Sequence, residues 1–204
     1  MTRKIIVLFM GILLLAGCSK KNKNIMITLP LSEEEMNQAI EYGIKNAELS
    51  MTEFVSEWTV DLGYGEGKGK ATLITPFLKT AILSKQAHNQ GQEIKRALLE
   101  KALREDTDCL TFEITLFGGY PEFGRTAEFL LKCNNKEIQP VYKFTPPYAE
   151  IGRDYTQTIK GKVKFNKKDI PADSKIVLWV QYNMDEEGKN KYTCEFEFDL
   201  KKYR

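Results

Sequence analysis

The side chains able to do chemistry in this 204-residue chain are few, and they do not cluster by type. There is one histidine, His88, beside Asn89 at the end of a helical pattern, and there are four cysteines, Cys18, Cys109, Cys133 and Cys194. A Ser-His-Asp or Cys-His pair needs a base oriented by a third group, and nothing marks His88 as that base. At a helix C-terminus its cation would simply answer the macrodipole. No Cys/His cluster has zinc spacing, so no metal is expected. The run Asp185-Glu186-Glu187-Gly188 lacks the alternating acids of a calcium loop and reads as a hairpin turn.

The glycine-rich stretch Gly63 to Gly69 invites a phosphate-loop reading and fails it. A P-loop needs a glycine five residues before a Gly-Lys-Ser/Thr triplet. Gly67-Lys68 has Leu62 there and Gly69 after it, and Gly69-Lys70 has Tyr64 there and Ala71 after it. The dinucleotide pattern fails at Lys68. Paired carboxylates are uninformative among 28 acids, so no catalytic residue and no cofactor is expected. Lys160, Lys162 and Lys164 alternate along one strand and read as a solvated sheet edge that discourages aggregation.

The elements that must position these residues follow from spacing. Ser32 and Glu35 form a capping-box pair, and Met36, Ala39, Ile40 and Ile44 recur at helical spacing, predicting a helix from Glu33 to about Ala47. Trp58, Val60 and Leu62 alternate with polar residues, and Ala71 to Ile74 is extended again, which predicts a hairpin with a glycine-rich connection. Thr75-Pro76 starts the next helix, since proline suits the first helical position. After the Asn89-Gln90-Gly91 interruption, a helix from Gln92 to about Glu105 should bury Ile94, Ala97, Leu98 and Ala102.

Beyond Asp108 six strands are expected: 109–117, 125–133, 138–144, 158–165, 175–182 and 191–200. The fold class predicted is α+β, with N-terminal helices packed on a C-terminal antiparallel β-sandwich, Ig-like with about six strands. Side-chain parity puts Leu110, Phe112, Ile114 and Leu116 on one face of the first strand, opposite Cys109. Ala127, Phe129, Leu131 and Cys133 share the apolar face of the second. Pairing these two strands as a hairpin places Cys109 and Cys133 on opposite sides of the sheet. Cys133 and Cys194 both face the core, where they can form a disulfide or remain reduced.

If the strands alternate up and down, the connections 118–124, 145–156 and 185–190 fall at one end. That end would gather Tyr120, Phe123, Tyr148, Arg153, Asp154 and Tyr155, the aromatic and charged mix of a recognition surface.

The N-terminus supplies an address. Arg3 and Lys4 precede an apolar run from Ile5 to Ala16, too short for a bilayer that needs roughly 20 helical residues, and so an export signal. Its end, Leu15-Ala16-Gly17-Cys18, resembles the lipobox of bacterial lipoproteins. That resemblance implies cleavage before Cys18, lipidation of its thiol, and a membrane partner reached through the lipid; two or three acyl chains anchor stably where one does not. Ser19 in place of an aspartate implies the outer membrane, facing the periplasm. The chain as a whole is similar to small Gram-negative envelope lipoproteins that join a helical part to a β-sandwich.

The domains expected are a signal peptide over 1–17, a lipidated flexible tether over 18–31, a helical region with a short glycine-rich hairpin over 32–107, and the sandwich over 108–204. The formal charge of +2 falls to zero once Arg3 and Lys4 leave, which excludes the basic excess that nucleic-acid recognition uses. The function expected is a non-enzymatic module that binds another envelope protein, or, as the alternative, a small-ligand binder holding its ligand between helices and sheet.

Overall fold

The computed structural model of the chain describes residues 31–152, 154–168 and 170–203. The signal, the lipobox with Cys18, the tether as far as Pro30, and Arg153 lie outside the described residues.

Helix α1 (Glu33–Lys45) opens with the expected capping box: the Ser32 Oγ accepts from the Glu35 amide at 3.2 Å, and the Glu35 carboxylate accepts from the Ser32 amide at 2.9 Å. Ser50 and Glu53 repeat the device at the start of α2 (Met51–Phe54). Thr75 caps α3 (Pro76–Asn89) by accepting from the Leu78 amide at 3.1 Å. Gly43 lets α1 approach α3 closely, since a Cβ there would run into the Ala81 carbonyl and the Ser84 side chain. Phe54, Trp58, Leu78 and Ala81 are buried together beneath this pair, with Tyr42 and Phe77 against them.

Helix α4 (Arg96–Arg104) corrects the sequence expectation. It begins four residues later than Gln92, and it buries Leu99 while Leu98 is 60% exposed and Ala97 is exposed. Leu99 and Leu103, one turn apart, supply the inward stripe instead.

Among the described residues ten strands form two antiparallel sheets. One is ordered β1 (Thr59–Asp61), β2 (Gly69–Ile74), β3 (Cys109–Gly118), β8 (Gln157–Asn166), β6 (Tyr142–Phe144), with β7 (Glu150–Ile151) also on β8. The other is ordered β10 (Lys191–Asp199), β9 (Lys175–Asn183), β4 (Glu128–Cys133), β5 (Lys136–Ile138). Phe112, Leu116 and Val163 from the first sheet and Leu131, Leu178 and Phe196 from the second lie in one core.

Inward parity held on β3, β4 and β10, the strands for which it was expected, although Thr111 and Phe117 on the other face of β3 are buried as well. Pairing did not. β3 bonds to β2 and β8, and β4 to β9 and β5, so the expected hairpin between the strands of Cys109 and Cys133 does not form. A 3₁₀ turn at Phe123–Thr126 carries the chain from one sheet to the other. The expected strand 138–144 divides between the sheets around Pro140, which has no amide to give a ladder. The glycine-rich hairpin joins β3, so one sheet crosses position 108. Lys160, Lys162 and Lys164 lie on a central strand, not an edge, and are matched by Glu150, Glu113 and Asp106.

Candidate functional site

Register decides which connections share an end. Gly118 pairs with Gln157, Glu128 with Gln181, and Lys191 with Asn183. The connections 118–124, 145–156 and 185–190 therefore leave the sandwich together. The link between β1 and β2 joins them, because Gly69 pairs with Leu116 and the Gly67 amide donates to Phe117 O at 3.3 Å. That fourth loop was not placed here from sequence; its glycines were weighed for phosphate and dismissed. The signal was Tyr64 and Glu66 between glycines.

The loops brace one another. Ala149 N donates to Pro121 O at 2.7 Å, and the Thr145 hydroxyl donates to Gly124 O at 2.9 Å. The Tyr64 hydroxyl donates to the Asp154 carboxylate at 2.7 Å, and this bond holds the Asp154 carboxyl below its ordinary range. The Tyr192 hydroxyl likewise donates to Glu66 at 2.7 Å, which pushes the phenol up. Gly67, at φ +73°, lies under the Tyr192 ring, 2.6 Å from where a Cβ would meet it. Only glycine fits there.

The expected recognition residues separate into two groups. Phe123 is fully buried and Tyr120 is 9% exposed. Their rings pack inward, Phe123 against Tyr182 at 5.2 Å, so they anchor the loop and do not present themselves. Tyr148 and Tyr155 are exposed, at 57% and 84%, as is Tyr64 at 55%. The Arg125 guanidinium stacks 5.0 Å from the Tyr148 centroid. Tyr155 ends a tight turn, its amide donating to Gly152 O at 3.1 Å, and it holds φ +65°. A bulky residue in the left-handed region is uncommon and costs about 1–2 kcal/mol.

The described cysteines form no disulfide. Cys109, Cys133 and Cys194 are all free thiols, and the Cys133 to Cys194 bond is excluded by register. Cys133 pairs with Ile176 and Cys194 with Val180, on opposite sides of β9. Strand spacing and rise separate them by roughly 16 Å, against about 7 Å for a bridgeable pair. Cys194 instead donates to Gly67 O at 3.3 Å, and burial pushes its thiol up.

At the opposite end a cleft of about 360 Å³ opens between α3, α4 and the start of β3, floored by Met36, Ile74, Leu103 and Leu110. Asp106 sits in its wall between Lys79 at 2.5 Å and Lys164 at 2.6 Å. Burial alone would push the Asp106 carboxyl up, but hydrogen bonds from Lys164 and Lys79 outweigh it and hold it below the ordinary value. Among the described residues no group of three or more His, Cys, Asp or Glu side chains could hold a metal, and no helix is long and apolar enough to cross a membrane. The chain matches no protein-family model and no curated protein.

Proposed function

We propose that this is a lipid-anchored cell-envelope protein, non-enzymatic, which captures another envelope protein with the loop end of an Ig-like sandwich. The Ig-like reading is supported by strand order. β2-β3-β8-β6 and β10-β9-β4-β5 correspond to A-B-E-D and G-F-C-C′, and the shared loop end then holds the B–C and F–G connections used for binding in that architecture. The lipobox at Leu15 to Cys18 supports the anchor, the outer membrane being the address that Ser19 implies, with the body in the periplasm.

The observation that carries the proposal is the constrained, outward Tyr155, on a loop that also carries the exposed Tyr148 and that Tyr64 ties down at Asp154. Backbone strain clusters at ligand clamps and switch regions, where the surrounding structure holds it in place. A photo-crosslinker placed at Tyr148 in intact cells should join the chain to one defined envelope protein, and Tyr155→Gly should remove that adduct while leaving the melting temperature equal or higher. Adducts spread only over abundant neighbours would refute the assignment. Cys18→Ala should release the protein from the membrane fraction.

The cleft between helices and sheet favours a second reading, a small-ligand binder, since its volume lies within the ~300–1,000 Å³ usual for such sites. Ligand binding there would raise the melting temperature by mass action and would be indifferent to Tyr155→Gly.

A further inference from the structure

We infer that the cleft between α3, α4 and the start of β3 takes an amphipathic monoanion, a single acyl chain ending in a carboxylate. This rests on the second reading above, that the cleft is a ligand site, and names the chemistry it selects. Its floor is apolar and comes from four elements: Met36 from α1, Ile74 from β2, Leu103 from α4 and Leu110 from β3. Its volume of about 360 Å³ is near the lower end of the ~300–1,000 Å³ of small-molecule sites. That suits one acyl chain rather than the paired chains of a bilayer lipid.

The charged lining says what the chain must end in. Lys79, Arg96, Arg104 and Lys167 line the cleft against only Glu100 and Asp106, and each of these two acids stands between two cations. Asp106 has Lys79 at 2.5 Å and Lys164 at 2.6 Å; Glu100 has Arg96 at 3.5 Å and Arg104 at 4.0 Å. Outside the lining, Glu33 reaches Arg96 at 2.9 Å and Asp108 acts on Lys167. With those two acids and Lys164 included, the cations still exceed the acids by one charge, which a monoanion matches. Burial holds the Lys167 ammonium below the ordinary lysine range, and an anion beside it would offset that desolvation. Arg104, at the limit of an ion pair with Glu100 and with its side chain 81% exposed, can turn onto a headgroup at the mouth. A guanidinium presents the planar fork that binds a carboxylate through paired hydrogen bonds. Cys109 also lines the cleft and is half-buried, whereas Cys133 and Cys194 are buried, so its thiol reports occupancy.

The test titrates the chain from Ser19 onward, which holds every described element, with monomeric decanoate, decanol and decylammonium. Calorimetry reads affinity, and maleimide alkylation of Cys109, mapped by mass spectrometry, reads where each compound binds. Decanoate should slow the alkylation and bind more tightly than decanol, and decylammonium should do neither. Shortening decanoate to octanoate should weaken binding by up to about fourfold for each methylene lost. Arg96→Gln with Arg104→Gln should weaken decanoate about tenfold and leave decanol as it was. Both side chains are exposed, and circular dichroism would verify the fold. Decanol or decylammonium binding as tightly as decanoate, or decanoate binding untouched by the two substitutions, overturns the anionic assignment and leaves the cleft a ligand site. Shielding of Cys109 by phosphatidylglycerol vesicles but not by decanoate overturns it too, since the rim would then be reading a bilayer headgroup. If no probe shields Cys109 the inference fails, and the ligand-site reading fails with it only if a general library of neutral and cationic fragments also leaves the alkylation unchanged.

Discussion

Lys85 is 4% exposed and takes its partners from backbone. Its ammonium donates to the carbonyls of Asn46, Ala47 and Leu49 where α1 ends, and it stands 5.1 Å from the centre of the Phe54 ring. A cation at helix C-terminal carbonyls answers the macrodipole and satisfies acceptors that the helix leaves over. Lys85→Met keeps the length and the burial but leaves the Leu49 carbonyl without a donor, while Asn46 O keeps the Leu49 amide and Ala47 O keeps the Asn89 side-chain amide. Each unsatisfied buried group costs ~1–3 kcal/mol, and about 1 kcal/mol lowers the melting temperature by ~2–4 °C in a domain of this size. The variant should therefore melt several degrees lower by calorimetry, and an unchanged melting point would show that carbonyl to be hydrated instead. None of this was legible in sequence, because the contact spans 36 to 39 residues. The exposed Tyr148, Asp154 and Tyr155 were legible as a group, since strand alternation alone put their loops at one end. Tyr120 and Phe123 were misjudged because a loop aromatic can face either way, and the 3₁₀ turn at Phe123–Thr126 turns Phe123 into the core.

Among elements, those set by local chemistry were the readable ones. Ser32 with Glu35 and Thr75 with Pro76 fix two helix starts, and period-two alternation fixes the inward side chains of β3, β4 and β10. Ser50 with Glu53 held the same signal for α2 and went unread beside so short a helix. Sheet membership was not readable, because the seven residues 118–124 have the glycines and proline of a hairpin loop whether they return the chain to the same sheet or carry it to the other. What joins the elements is again long-range. Asp106, just past α4, binds Lys79 of α3 and Lys164 of β8 and so ties helices to sheet. Its carboxyl is held below the ordinary value of 3.8 in the folded chain. A carboxyl with a depressed folded pKa contributes stability that is fully present above its unfolded value and is lost as pH falls through the folded one. Asp106→Asn should accordingly lower the melting temperature at neutral pH, with the gap to the parent narrowing as the pH drops below the ordinary aspartate range. A gap that is constant with pH would mean that the lost interaction is steric.

At the scale of the whole molecule, the question is whether the helical layer and the sandwich behave as one body. Two buried clusters are present, one between the sheets and one under α1 and α3. Tyr203 packs against both, and its ring lies 5.9 Å from that of Phe198. With the Asp106 bridge, this makes the C-terminal residues a clasp over the junction. The two tryptophans of the chain happen to report the two parts: Trp58 is buried in the helical cluster, and Trp179 lies on the outer face of β9 under Lys132. Trp179→Phe leaves Trp58 as the probe of the helices, and Trp58→Phe leaves Trp179 as the probe of the sheet. In both, the fluorescence midpoint in urea should coincide with the far-ultraviolet circular dichroism midpoint, the mark of a single cooperative transition. Adding Tyr203→Ala should separate them, the helical probe melting first, because the helical cluster is the smaller and loses a ring that it shares with the other. Midpoints that stay together in Tyr203→Ala would place the coupling in the Asp106 bridge and the chain link from β2 into α3, and Asp106→Asn in the same background would then be the change that splits the transition.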